Sequence, residues 1–118
     1  MRVLVLGAYG LIGAGVTRHL RKAGHTVTGL GRNEAAARRV LPEIDWIIHD
    51  MAAMASPGDW LPATEGFDAV VNCAGALQDG PRDHLKAIHA DAVAALANAC
   101  AGKGLRLVQI SAAGVSFM

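Results

Sequence analysis

The chain alternates short apolar runs with longer stretches whose apolar residues recur every three or four positions. Val3, Leu4, Val5 and Leu6 are unbroken, the pattern of a strand buried on both faces of a parallel sheet, and they predict a first strand at residues 2–6. The stretch LIGAGVTRHLRKAG then predicts a helix over residues 11–23. Arg21 and Lys22 suit its last turn and Gly24 its end. HTVTGL, residues 25–30, is short and β-branched, a second strand. Asn33 caps a helix running to Val40, with Glu34 in its first turn, and Pro42 breaks it. A third strand covers residues 44–49, with Asp50 at its C-terminal end. Residues 51–67 carry the weakest pattern: SPGD at 56–59 is a turn or a cap, and a short helix fits 57–63, limited by Pro62. A fourth strand covers 68–72, and QDGP at 78–81 is a loop. A long helix over 82–101 places Leu85, Ile88, Ala92, Ala95, Leu96 and Ala99 at helical spacing, and Gly102 and Gly104 end it. A fifth strand covers 105–110.

Strands alternating with helices predict an α/β fold: a three-layer, doubly wound parallel sheet joined by right-handed crossovers. With an anion-binding turn after the first strand, the expected strand order is 3-2-1-4-5, with a ligand across the C-terminal strand ends at the switch point. The 118 residues suit one domain, residues 1–118, without internal repeat or linker. Hydrophobic residues make up 53% of the chain, much of it alanine, as in Ala-rich helices covering Val/Ile/Leu strands. A formal net charge of +1 is too small to argue for nucleic acid or an acidic membrane surface, and neither is expected as a partner. No apolar stretch reaches the roughly 20 residues of a membrane span, and the N-terminal run leads directly into glycines, unlike a signal peptide. Cys73 and Cys100 form no CxxC pair and read as reduced core thiols of a cytoplasmic protein. The chain stops at SAAGVSFM, directly after the fifth strand, which suggests the N-terminal part of a longer protein. The long helix offers a face for a homo-oligomer, although covering the sheet explains its apolar positions equally well.

The chemistry lies in RVLVLGAYGLIG, where Gly7, Gly10 and Gly13 follow the first strand in the pattern GxxGxxG. A strand, a glycine turn and a helix start together make an anion site. The first backbone N–H groups of a helix lack intrahelical partners, the dipole adds positive potential, and glycines admit a pyrophosphate that any Cβ would meet. Three glycines alone are weak support; between a strand and a helix at the head of an α/β chain they are strong support. A tight turn that binds nothing needs only one or two glycines. Gly13 costs roughly 1 kcal/mol against alanine inside a helix, which a close approach to strand or cofactor explains. Gly15 has no evident role.

GAYGLIG, GR after the second strand, Asp50 after the third, NCAG after the fourth and QISAAG after the fifth resemble the short-chain dehydrogenase/reductase superfamily. The GxxGxxG spacing is that of its extended and atypical branches, including NmrA-like and NAD-dependent epimerase/dehydratase-like proteins, and the resemblance runs through essentially the whole chain in order. It implies a Rossmann NAD(P)-binding domain. By that resemblance Gly7, Ala8, Tyr9, Gly10, Leu11, Ile12 and Gly13 wrap the pyrophosphate. Asp50 and Met51 meet the adenine, Asn72, Cys73, Ala74 and Gly75 line the ribose side, and Ser111 and Ala112 lie near the nicotinamide. Independently, a carboxylate at Asp50 ending a strand can accept from an adenine amino group, or is simply solvated. Ala74 and Gly75 suit a flat ring against backbone, or an ordinary turn.

An acidic residue ending the second strand would bind both ribose hydroxyls and favour NAD(H). Here Gly31 and Arg32 follow Leu30. A guanidinium suits a 2′-phosphate bidentately, so NADP(H) is favoured over NAD(H), the alternative for Arg32 being a solvated loop residue. Asn33 can bond the phosphate or ribose, or merely cap its helix. Arg38 and Arg39 suit a wet helix face.

The superfamily's reaction pairs a tyrosine with a lysine four residues later and a serine near the fifth strand. The only tyrosine is Tyr9, with Gly13 four places on, inside the pyrophosphate turn. Ser111 is the one weak catalytic candidate, since Ala112 and Ala113 follow it. Two functions from different classes therefore stand: the cofactor half of an oxidoreductase or epimerase acting on a small molecule, or a non-catalytic NAD(P)H-binding redox sensor or assembly protein. A nucleotide-sugar or flavin protein on the same fold is a third. The histidine spacings, with His84 and His89 five apart, do not predict a metal site. Met51 and Met54 read as gap-filling core.

Overall fold

The computed structural model describes residues 1–74 and 83–110, with the backbone alone at 52 and 83–89. Five parallel strands, β1 (Arg2–Leu6), β2 (Thr26–Gly31), β3 (Asp45–Ile48), β4 (Ala69–Asn72) and β5 (Arg106–Gln109), form one sheet in the order β3-β2-β1-β4-β5. The helices are α1 (Leu11–Lys22), α2 (Glu34–Val40), α3 (Pro57–Trp60) and α4 (Asp83–Lys103), with a 3₁₀ turn at Met51–Ala53. The expected α/β class and strand order are both present.

Alternation along β1 makes the three layers. Val3 and Val5 point to one face, where they pack with Val27, Val71 and the inner side of α1 at Ala14, Ile12, Val16 and Leu20. Leu4 and Leu6 point to the other, against Met51, Met54 and Trp60 and against Ala92, Ala95, Leu96 and Ala99 of α4. β1 is thus covered on both sides, which is why its sequence is an unbroken apolar run. The small residues of α4 let that helix sit close to the sheet.

Most element ends fall within a residue of the sequence-based reading, and the differences that bear on packing are at β2, α3 and α4. β2 runs one residue further, to Gly31. α3 stops at Trp60, and the chain continues in turns through residue 66. α4 continues through Gly102, where an added Cβ would meet open space, and is ended by Gly104 alone, whose φ of +69° only glycine adopts easily. The extra turn is secured by Lys103, whose Nζ donates to the Leu61 carbonyl at 2.7 Å and the Thr64 hydroxyl at 3.1 Å, with Glu65 at 3.2 Å. Within the described residues no helix is long and apolar enough to cross a membrane.

The Thr17 hydroxyl, on the buried side of α1, is fully enclosed and has no hydrogen-bond partner among the described residues. Thr17→Val keeps the shape and removes the unpaired group. It is expected to raise unfolding free energy by about 1 kcal/mol, read as a higher denaturant midpoint at unchanged slope; a lower midpoint would mean that the hydroxyl has a partner.

Candidate functional site

The C-terminal ends of all five strands share one edge of the sheet. The chain leaves β1 toward one face through α1, while α4, which follows β4, covers the other. The crevice therefore opens beside β1, next to β4, the place where open α/β sheets hold ligands. Its floor is set by backbone pairing. The Gly7 amide donates to the Leu30 carbonyl at 2.9 Å and the Cys73 amide to the Leu6 carbonyl at 3.0 Å.

Each glycine of the turn has its own steric cause. Gly7 lies at φ +69°, and a Cβ there would stand 2.9 Å from the Ala74 Cα. At Gly10 a Cβ would come 3.3 Å from the Gly7 carbonyl oxygen, the same oxygen that accepts from the Gly10 amide at 3.1 Å. At Gly13 it would stand 2.1 Å from that oxygen and 2.9 Å from the Ala8 Cα. Gly13 therefore exists so that α1 can press onto the turn behind it. Packing accounts for Gly7 and Gly13, whereas at Gly10, with an ordinary φ of −71°, the contact is only tight; the pointer toward a ligand lies in the start of α1, which Gly10 opens.

That start carries no side-chain cap. Gly10 is the N-cap, the first turn has no acidic residue, and the Ala14 amide is the first to bond back, to the Gly10 carbonyl at 2.8 Å. The amides of Leu11, Ile12 and Gly13 precede it, with the positive end of the dipole undiluted. The other short helices are closed by their own side chains. Asn33 accepts from the Ala36 amide at 3.0 Å to cap α2. In α3 the Asp59 carboxylate accepts from the Ser56 amide at 3.1 Å and hydroxyl at 2.9 Å. At the mouth of the uncapped start stands Leu11, a large apolar side chain that is 81% exposed.

Tyr9 does not face the crevice freely. Its ring lies over Gly31, where an added Cβ would meet it at 2.4 Å, and it approaches the Trp46 ring at a centroid distance of 5.9 Å. Trp46 in turn fills the space above Gly29 and donates its Nε1 hydrogen to the Leu41 carbonyl at 2.9 Å. Sequence reading takes Gly31 only as the lack of a carboxylate and leaves Gly29 and Trp46 out of the site. Two glycines at period two inside a strand were the available signal, since they mark a close approach of other groups.

Arg32 follows directly, exposed and without a hydrogen bond or ion pair among the described residues. The Asn33 side-chain oxygen is committed to its helix cap. Arg38 is ion-paired with Glu34 at 3.0 Å on the exposed face of α2. Asp50 is exposed at the end of β3, its carbonyl accepting from the Ala53 amide at 3.0 Å, whereas the Met51 side chain belongs to the core with Met54. Asn72 is fully buried, and its side chain works inside the protein: Oδ1 accepts from the Ala74 amide at 3.0 Å and Nδ2 donates to Gln109 Oε1 at 3.0 Å. Its effect on the crevice is to shape the Ala74 turn. Cys73 is buried, and burial pushes its thiol up to about 11, so it is protonated at neutral pH. Cys100 is shifted the same way by burial, with Lys103 opposing. Gly75, Ser111 and Ala112 lie outside the described residues, as do the side chains of His84 and His89. Among the described residues no group of three or more His, Cys, Asp or Glu could hold a metal ion.

Comparison with known proteins adds three findings. The family model for the NAD dependent epimerase/dehydratase family matches residues 3–116. A search of curated proteins finds no match. Among solved structures, the Bordetella bronchiseptica enzyme WbmG, in complex with NAD, superposes with a TM-score of 0.74 at 24% identity over 92% of this chain and 36% of that one. UDP-N-acetylglucosamine 4-epimerase from Bacillus cereus gives 0.70 at 19% identity, over 92% of this chain and 37% of that one. A putative NAD-dependent epimerase/dehydratase from Bacillus halodurans gives 0.71 at 26% identity, over 92% and 50%. The chain thus spans between about a third and a half of the length of these structures.

Proposed function

Because the chain belongs to the NAD dependent epimerase/dehydratase family, we propose that it is the dinucleotide-binding part of a nicotinamide-dependent oxidoreductase or epimerase, with NADP(H) as its preferred cofactor. The observation that carries this reading is the start of α1, a helix end at the switch point without side-chain cap or acidic neighbour. The amides of Leu11, Ile12 and Gly13 hold the diphosphate, and the glycine turn from Gly7 to Gly10 lets it approach the backbone. Leu11 covers it from the solvent side. Asp50 accepts from the adenine amino group, and the backbone at Cys73 and Ala74 borders the nicotinamide-side ribose. NAD in the Bordetella enzyme supports a nicotinamide dinucleotide as the class of ligand. When bound, such a group supplies hydride transfer at its nicotinamide ring.

Arg32 supports the phosphorylated form. An exposed guanidinium with no partner of its own, next to the end of β2, matches a 2′-phosphate with two parallel N–H donors. Charge-assisted bonds of this kind contribute about 1.5–3 kcal/mol. Arg32→Ala is therefore expected to weaken NADPH binding by about ten- to a hundredfold, with NADH binding unchanged, in a fluorescence titration of the two reduced cofactors. Equal losses for both, or none for either, would remove the phosphate assignment.

One observation favours a second reading, a non-catalytic NAD(P)H-binding redox sensor or assembly protein. Ala112 and Ala113 follow Ser111, where the superfamily often has further serines near the fifth strand. Binding without turnover by the whole protein, across candidate small-molecule substrates, separates this reading from the first.

A further inference from the structure

The end of β2 is where a Rossmann-type domain places the carboxylate that holds both hydroxyls of an adenosine ribose. In this protein the side-chain space of that position is already taken. Gly31 is buried, and a Cβ built on it would stand 2.4 Å from Cε2 and 2.9 Å from Cδ2 of Tyr9. The Tyr9 ring comes from the glycine turn, across the sheet from β1, and is backed by Trp46 at 5.9 Å. Trp46 is held by its bond to the Leu41 carbonyl and by the gap that Gly29 leaves for it. Tyr9 can yield that space only by moving its ring, which packs against Trp46.

We infer that Tyr9 is a specificity-determining residue: its ring occupies the place of a side chain at position 31, excludes a ribose-binding carboxylate there, and leaves recognition of the ribose end to the neighbouring Arg32. The inference rests on the dinucleotide reading above and deepens it. Two features of the chain that look independent, a glycine where an acid is expected and a bulky residue in a turn of small ones, become one device. The same contact ties the turn that would carry the diphosphate to the end of β2, which Arg32 directly follows. The gap between the two phosphate-recognising elements is therefore set by a ring and a glycine. Tyr9→Ala would loosen both ends of the site, whereas Tyr9→Phe keeps the ring and its packing.

The test is a cycle of four proteins, wild type, Gly31→Asp, Tyr9→Ala and the double variant, with Tyr9→Phe beside them. Affinities for NADPH and NADH are measured on each, together with thermal melting in the absence of ligand. Tyr9→Phe is expected to keep the wild-type NADPH/NADH preference. Gly31→Asp alone is expected to lower the melting temperature and to weaken both cofactors, because the new side chain and the ring compete for one space. Adding Tyr9→Ala is expected to restore part of the melting temperature and to shift the preference at least tenfold toward NADH. If Gly31→Asp alone shifts the preference as far as the double variant does, without loss of melting temperature, Tyr9 is no barrier and the inference fails while the dinucleotide reading stands. If wild type binds neither cofactor, the reading fails and the inference with it, whatever the melting data show.

Discussion

Gly13→Ala is expected to destabilise the protein and to abolish tight dinucleotide binding, although alanine is the better helix former. Propensity alone predicts a gain of about 1 kcal/mol for glycine to alanine inside α1. The added methyl would stand 2.1 Å from the Gly7 carbonyl oxygen and 2.8 Å from its carbon. Both are backbone atoms in a turn that is itself fixed by bonds to Gly10 and to the Leu30 carbonyl. No flexible side chain can give way, so α1 must move outward. Overpacking of this kind costs about 1–3 kcal/mol, and the rigidity of the neighbours puts this case at the upper end. Displacing the helix start also moves the amides of Leu11 and Ile12. Losing two charge-assisted bonds at about 1.5 kcal/mol each lowers diphosphate affinity about a hundredfold. Gly15→Ala is the control: nothing lies within 4 Å of its Cβ position, so the same substitution two residues on is expected to stabilise. Denaturant melts and NADPH titration of both variants check the pair, and a common sign for the two stability changes would refute the packing account.

Trp60→Ala is expected to have the largest effect on stability, about 3–5 kcal/mol. Trp60 is fully buried in the layer between the sheet and α4, and its Nε1 hydrogen goes to the Met54 carbonyl at 2.9 Å. Its own carbonyl accepts from the Thr64 hydroxyl at 2.8 Å. The truncation leaves a cavity beside Leu4, Leu6 and Leu96 and an unpaired buried carbonyl at Met54. Trp60→Phe fills most of the space and leaves only the carbonyl unpaired, so its cost is expected near 1–3 kcal/mol. Equilibrium unfolding of the two variants measures both terms. If the alanine variant proves as stable as the phenylalanine one, the residues around Trp60 are not the core layer described.

Trp60 also shows where sequence reading lost resolution. Residues 51–67 have neither period two nor a sustained helical period, because they form a 3₁₀ turn, a single helical turn and a run of turns. Each piece is too short to repeat a pattern. Their burial arises from α4 lying over them, on the far side of the chain in sequence. The opposite holds for β1: covered on both faces, it needs four apolar residues in succession, and that run is legible without any knowledge of what covers it. The glycines of the turn were legible as a motif, but the reason for each was not. Gly13 answers to a carbonyl oxygen of the turn and Gly7 to the Ala74 backbone in the turn after β4. Asn72 was recognisable as a residue at a strand end, yet its commitment to Ala74 and Gln109 follows from the register of β4 with β5.

By itself the sequence determined the class of fold, the order of its elements and the place of the glycine turn, since each depends on local periodicity and on backbone preferences a residue carries with it. Tertiary structure alone decided that Tyr9 stands in the side-chain space of Gly31, that Asn72 turns inward while Arg32 stays exposed, and that only one of the three short helices begins without a cap of its own. Those outcomes depend on which strands lie side by side and in what register. Contact across a sheet joins residues whose separation along the chain leaves no periodic trace.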